Sequence, residues 1–441
     1  MKKIYISLIA IIILFFISII YILQDSQNKI TLKIKSSIPK EARYFIKNGI
    51  NTYLYNFGIN FKFANKKQIR SSDGKLYNTV EYNNKFLDYQ GPRSYLGFKN
   101  DRMFLVTGTG LIGYTNLDNL IEKKNFKIRN IKTNIKDIVT YDHFYVNSNF
   151  GTKGMLIDEN DIYLSLSNEI EKNCYSISVI KSKIDTSKLD FSYIFKSDQC
   201  VKNSNDYGEF QPIQSGGMMS DFDENYFLLT TGEFRYRDHA QNDESIFGKV
   251  LLINKINGDY KIISKGHRNS QGIYYDKKNE IIVSTEHGPL GGDEVNINKN
   301  IFNKNNYGWP ISSYGEHYPN MVSKDAYEKA PLYKSHLKYG FIEPIKYFVP
   351  SIGISQILKV ENSFGFNQHQ NYFFSSMGYP DRTNARSIHQ LVFDKNYENI
   401  LFEDKIKINY RIRDIIFIPK FKIIVGYLEK RGSLITLSEN E

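Results

Sequence analysis

Three short segments carry most of the chemistry-bearing residues of this chain. They are Gly266-His267-Arg268-Asn269-Ser270-Gln271-Gly272, Glu286-His287-Gly288-Pro289-Leu290-Gly291-Gly292-Asp293-Glu294-Val295-Asn296, and Asn306-Tyr307-Gly308-Trp309-Pro310. Together they place Arg, His, Asn, Gln, Asp and Glu beside glycines within about 45 residues. The planar fork of Arg268 matches a carboxylate and stacks on a ring. Glycines let backbone N–H and C=O groups come close to a ligand. Such a cluster suits a polar, ring-shaped, anionic ligand.

These side chains need a scaffold. Between the first two segments runs Ile281-Ile282-Val283-Ser284, a buried-strand pattern, so the polar groups sit on loops at both strand ends. The same theme recurs, a polar turn followed by a run of β-formers. The runs start at Met103, Ile162, Tyr226, Ile281, Tyr372 and Ile423. Most are about fifty to sixty residues apart, and one gap near ninety holds the Trp309 region. Asn257-Gly258 between Val250–Ile253 and Tyr260–Ile263 is a hairpin signal. No amphipathic helical periodicity competes. Six repeated β units predict an all-β array closed into a ring, a six-bladed β-propeller.

The three loops, in this order, resemble the soluble quinoprotein glucose/sorbosone dehydrogenase family, over roughly residues 90 to 437. The resemblance implies a six-bladed propeller that oxidises an aldose by hydride transfer to pyrroloquinoline quinone (PQQ), with Ca²⁺. It implies that Arg268 and Asn269 hold the cofactor, with Trp309 beside them. It gives the backbone carbonyls of Gly288 and Pro289 to Ca²⁺, whose hardness suits oxygen ligands. Asp293 and Glu294 would support that loop or a second Ca²⁺. Arg411-Ile412-Arg413-Asp414 matches an Arg-x-Arg-Asp pattern with two cofactor-facing arginines, and Phe348–Gly353 matches a loop facing the tunnel. Two positions depart from the pattern. A catalytic His opens a His-x-Gly-Gly motif in the family; here the stretch reads Gln214-Ser215-Gly216-Gly217. An amide cannot take up a full proton near neutral pH, so Gln214 is impaired as a base. A family Lys is replaced by Gly378, with Arg382 and Arg386 nearby.

Two functions therefore fit the sequence. One is a sugar dehydrogenase with an altered acid/base scheme. The other is a non-catalytic propeller that binds a sugar, polymer or protein.

The rest of the chain sets the context. It has 441 residues, a net charge of +11 and 15% aromatics. Lysines are scattered without a long basic run, and no nucleic-acid motif is present. Ile4 to Leu23 is apolar and long enough for a bilayer core, with Lys2 and Lys3 before it. No cleavage site of small residues follows Leu23. This predicts an uncleaved transmembrane anchor over residues 1–24, with the remainder on the periplasmic or extracytoplasmic side. Residues 25–85 read as a membrane-proximal arm and 86–441 as the propeller. Cys174 and Cys200 lie near the ends of two strand-like runs, and an exported domain can oxidise them to a disulfide.

Overall fold

The computed structural model describes residues 37–39, 42, 58–84, 93–139, 149–204, 209–319, 324–366 and 368–440. The expected membrane span Ile4 to Leu23 lies outside them. Among the described residues no helix is long and apolar enough to cross a membrane. Residues 51–441 form one compact unit, and almost all its regular structure is strand.

The strands fall into antiparallel meanders. The first runs through Ser94–Lys99, Arg102–Thr107, Ile112–Asn116 and Phe126–Thr133. The second is Gly151–Asp158, Asp161–Glu171, Cys174–Lys183 and Ser192–Lys196. The third is Gly216–Asp221, Tyr226–Thr231, Lys249–Asn254 and Tyr260–Lys265. The fourth is Ser270–Asp276, Ile281–Glu286, Asp293–Asn298 and Lys346–Phe348. The fifth is Ile354–Lys359, Gln370–Ser376, Ser387–Phe393 and Ile400–Lys407. The last begins with Ile412–Ile418, Ile423–Leu428 and Ser433–Glu439. The first strand of each meander contacts the first strand of the next, and Ile412–Ile418 returns to Ser94–Lys99. The fold is all-β and propeller-like.

Each run of β-formers expected from the sequence is the second strand of a meander. These strands lie between sheet neighbours and are covered on both faces. Ile281–Glu286 and Ile423–Leu428 are buried at every position. This explains their continuous rather than alternating apolar pattern. The hairpin at Asn257-Gly258 also forms: Leu252 and Ile253 pair with Lys261 and Tyr260. Gly258 has φ +77, and a Cβ there would meet the Ile194 carbonyl at 1.9 Å, so only glycine fits.

One boundary differs from the sequence reading. Residues 59–83, assigned above to the arm, belong to the sheets. Leu76–Asn83 pairs antiparallel with Ser433–Glu439 and becomes the fourth strand of the last meander. Ile59–Arg70 then pairs with both Leu76–Asn83 and Phe126–Thr133, linking the last meander to the first. The Lys- and Asn-rich composition of Ile59–Arg70 reflects exposure: nearly every residue after Phe61 faces solvent. Sequence composition read this edge strand as an irregular arm.

Cys174 and Cys200 form the expected disulfide. Cys174 opens the third strand of the second meander, and Val201–Lys202, just after Cys200, pairs with Tyr175 and Cys174. The bridge closes a loop with a sequence separation of 26 residues. Closing such a loop is worth about 3 kcal/mol in the chain-entropy model. The double variant Cys174→Ser, Cys200→Ser is expected to unfold in urea with stability reduced by about that amount. An unchanged unfolding midpoint would count against a stabilising role for the bridge.

Candidate functional site

The residues singled out in the sequence converge where the first strands of the meanders begin. The fourth meander supplies the centre. The backbone N–H of Arg268 donates to Glu286 Oε1, across the hairpin from it. Glu286 Oε2 meets His267 Nδ1 at 2.9 Å, and His267 Nε2 meets Ser264 Oγ at 2.8 Å. Glu286 thus fixes the backbone on which Arg268 and Asn269 are mounted. The Arg268 guanidinium lies 5.3 Å from the Trp309 ring centroid. Trp309 is held in turn by its backbone N–H on Gly266 and by Gln241 Nε2, which donates to its carbonyl at 2.6 Å. Gln241 and Asn306 exchange side-chain amide bonds at 3.2 and 2.8 Å, tying the Trp309 loop to the third meander.

A second chain of contacts joins the remaining residues. Asn269 Oδ1 accepts from the Gly216 N–H at 3.1 Å, two residues from Gln214. It also accepts from Gln271 Nε2 at 3.1 Å. Gln271 Oε1 accepts from Arg413 Nη1 at 3.0 Å. Arg413 and Arg411 both bind the Glu429 carboxylate, at 2.5 and 3.0 Å. Gln214, Asn269, Arg411 and Arg413 are therefore brought to one place, with Arg268 next to it.

Arg93, Lys153 and Glu429 carry no motif, because each is a lone charge near a strand end. All three are buried. Lys153 Nζ donates to the carbonyls of Asn149 and Pro212 at 2.7 and 3.2 Å. Burial drives the Lys153 ammonium well below its ordinary pKa, and Arg93 and Arg413 push the same way. Burial also lowers the Arg93 pKa. For Glu429, burial acts upward, but Arg413 and Arg411 override it and bring the carboxyl to about 2. Three arginines thus act on the single carboxylate of Glu429, with Lys153 near Arg93 and Arg413 and with Asp414 beside Arg413. Burial raises Asp414 to about 7, and it accepts backbone N–H bonds from Leu96 and Ile415. The cluster is short of negative charge.

The third meander adds a second feature. Gln214 and Glu233 stand on adjacent strand ends, since the Phe234 N–H donates to the Gln214 carbonyl at 2.9 Å. Both side chains are buried. Among the described residues Gln214 Oε1 has no hydrogen-bond partner, and the Glu233 carboxyl meets the Arg235 backbone N–H but no side chain. The Trp309 indole N–H is likewise unmatched. Orphaned buried polar atoms are rare in native proteins and mark ligand or water positions.

The residues at the centre fit a planar anion such as PQQ. They offer an excess of buried guanidinium and ammonium groups, Arg268 stacked near Trp309, and unmatched polar atoms beside them. The Ca²⁺ loop is less complete. Gly288 is obligatory, since a Cβ there would meet two backbone carbonyls at 2.2 Å. The Gly288 carbonyl accepts from Arg268 Nη1 at 2.8 Å, so it already faces a cation. The Pro289 carbonyl accepts from Tyr318 Oη at 3.2 Å and Ser351 Oγ at 3.4 Å. These two oxygens can supply only part of the six to eight that Ca²⁺ takes. Among the described residues no cluster of three His, Cys, Asp or Glu side chains could hold a metal. Asp293 supports the loops: its Oδ2 accepts from the N–H groups of Ile352, Gly353 and Ile354, and Oδ1 from Gly288. Glu294 faces His336 Nε2 at 3.2 Å. His287 is tied to the Ile354 carbonyl, and burial lowers its pKa.

Gly378, the second departure, has a physical explanation. Its N–H donates to the Ile352 carbonyl at 2.6 Å, and a Cβ would meet that oxygen at 2.5 Å. No side chain fits there. Arg382 and Arg386 donate to the Ser351 and Gly378 carbonyls.

The Glu429 contacts set a pH dependence. A carboxyl held at about 2, against an ordinary 4.5, contributes about 3 kcal/mol of stability. Its pKa is depressed, so that contribution is present above about pH 4.5 and is lost as pH falls toward 2. Urea unfolding at stepped pH is expected to show this loss in the wild type. Glu429→Gln is expected to be less stable at neutral pH and to lack that acid-side increment. Parallel pH profiles for the two proteins would refute the assignment.

Residues 113–436 match the family Glucose / Sorbosone dehydrogenase. The chain is 32% identical over 219 residues to the uncharacterized protein slr1608 of Synechocystis, covering 47% of this chain and 48% of that protein. It is 26% identical over 270 residues to the aldose sugar dehydrogenase YliI of Escherichia coli, covering 58% of this chain and 66% of that protein. The matches thus span about half to two thirds of these relatives' length. The solved apo-form of the soluble aldose sugar dehydrogenase from Escherichia coli superposes with a TM-score of 0.59 at 20% identity, covering 85% of this chain and 99% of that one. The PQQ-bound aldose sugar dehydrogenase from Streptomyces coelicolor does so with a TM-score of 0.51 at 12% identity, covering 80% and 100%. Those likenesses speak to the fold, whereas the family match extends over most of the propeller-like unit, its three polar loops included, and on that ground the chain belongs to the glucose/sorbosone dehydrogenase family.

Proposed function

We propose that this protein is a PQQ-dependent dehydrogenase of aldose sugars, built on six blades and tethered to a membrane by Ile4 to Leu23 with the propeller outside the cytoplasm. The observation that carries the activity is the buried arginine excess of Arg93, Arg411 and Arg413 around Glu429, beside Arg268 over Trp309. An anionic quinone with several carboxylates would neutralise that excess. The circuit of first-strand contacts supports six blades.

PQQ, when bound, accepts a hydride. The protein's own residues do the rest. Arg268, Asn269, Arg411 and Arg413 would hold and orient the cofactor. Trp309 gives Arg268 a flat, apolar floor. The carbonyls of Gly288 and Pro289 would contribute to a Ca²⁺ site once Arg268 and Tyr318 release them. The buried setting excludes bulk water, which strengthens each electrostatic contact.

A second reading, a non-catalytic sugar- or polymer-binding propeller, is favoured by Gln214 at the family's base position. Binding and turnover separate the two. PQQ with Ca²⁺ is expected to raise the melting temperature of the purified domain, as a ligand of the native state must. Arg268→Ala is expected to abolish that shift. A dye-linked assay with PQQ and Ca²⁺ is expected to show aldose oxidation. Gln214→His is expected to raise the rate. No PQQ shift in either form would overturn the dehydrogenase in favour of the binding module. The tether has its own check: protease added to intact spheroplasts is expected to digest the propeller, and full protection would reverse the orientation.

A further inference from the structure

Granting the dehydrogenase proposed above, on which this rests, we propose that Glu233 is the proton acceptor of sugar oxidation, doing beside Gln214 the work that the amide cannot. Glu233 lies just beyond Tyr226–Thr231 and Gly232, on the strand end that pairs with the Gln214 segment: Gly216 pairs with Thr231, and the Phe234 N–H binds the Gln214 carbonyl. The two residues therefore stand on neighbouring strand ends. The backbone there cannot move aside, because Gly232 leaves no space for a Cβ against the Gln214 carbonyl, 2.2 Å away. The Glu233 N–H donates to the Arg268 carbonyl at 3.1 Å, which ties this corner to the residue proposed to hold the cofactor.

Glu233 is fully buried; the Arg235 backbone N–H approaches its carboxyl, and no side chain among the described residues bonds either oxygen. It lines a narrow cleft with Arg268, Trp309, Arg235, Arg237 and Glu209. The cleft measures about 10 Å³, room for one water. A general base can act through one water. The other carboxylate of the cleft, Glu209, is engaged by Arg237 in an ion pair, which leaves Glu233 as the carboxyl aimed at a reactant. The charged groups facing it divide clearly. Burial raises the Glu233 pKa to about 7, while Arg268, Arg237 and Arg235 hold it from rising further. A base with a pKa near the working pH is the effective kind.

The step balances as follows. The O–H bond at the anomeric carbon breaks, and its proton passes to the cleft water as that water gives a proton to the Glu233 carboxylate. The C1–H bond breaks with both electrons leaving as hydride to the quinone, which is reduced. A C=O bond forms at C1, giving the lactone. The Glu233 proton then returns to solvent.

Glu233→Gln is the direct test, with Glu233→Asp to keep a carboxylate. With PQQ and Ca²⁺ loaded, Glu233→Gln is expected to lose about 10²-fold or more in kcat while keeping the PQQ-induced melting shift. Glu233→Asp is expected to retain part of the rate. The wild-type rate is expected to fall as pH drops below about 7, where Glu233 takes up a proton. A readout without turnover is the protonated carboxyl band in infrared difference spectra of the cofactor-free protein. In the wild type this band is expected to titrate near neutral pH, and in Glu233→Gln to be missing. If the wild type oxidises aldoses and Glu233→Gln stays within about threefold, Glu233 is not the acceptor. A band that titrates in the ordinary carboxyl range, near 4.3, overturns it as well. If the wild type binds PQQ but oxidises no aldose, the dehydrogenase reading falls, and the Glu233 assignment with it.

Discussion

The site depends on one act of closure. Leu76–Asn83, from the N-terminal side, pairs along its length with Ser433–Glu439 near the C-terminus. That pairing completes the last sheet and holds Ile412–Ile418 against Ser94–Lys99. Asp414 fastens the same seam from inside, because its Oδ2 accepts the Leu96 N–H at 2.7 Å. Without the seam, Arg411 and Arg413 would not face Arg93 and Lys153. The charge cluster is thus a product of ring closure rather than of any local motif.

The six repeats and the hairpin at Asn257-Gly258 were legible because burial on both faces imposes a continuous apolar run, and a tight turn imposes glycine. The disulfide was legible because both cysteines flank strands that pair. The polar loops around Arg268, Gly288 and Trp309 were legible because several constrained residues recur at fixed spacing. Leu76–Asn83 was missed for the opposite reason. Its partner lies more than 350 residues away, and its neighbour Ile59–Arg70 is dressed in Lys and Asn for solvent. Arg93, Lys153, Glu233 and Glu429 were missed because a single charged residue at a strand end has no sequence signature. Only the ring makes them neighbours.

The two departures from the family pattern prove unlike in kind. Gly378 is fixed by packing: the Ile352 carbonyl occupies the space a side chain would need. Restoring a lysine there would require moving the loop that Asp293 pins through three N–H groups. Gln214 is different. Its side chain is buried with an unmatched oxygen, on the strand end next to that of Glu233.

That contrast bears on what the corner of Gln214 and Glu233 is for. A merely structural carboxyl in this place would pair with a side chain of opposite charge, because an unpaired buried carboxyl costs free energy. Glu209, in the same cleft, shows that settled alternative, an ion pair with Arg237. Glu233 has no such pair, although three arginines lie near it and the Arg235 backbone N–H approaches its carboxyl. Its own N–H is committed to Arg268 and its neighbour's to Gln214, so the residue is held in place without a side-chain partner. A carboxyl positioned by its backbone, poised near neutrality and open to one water is suited to receive a proton and return it.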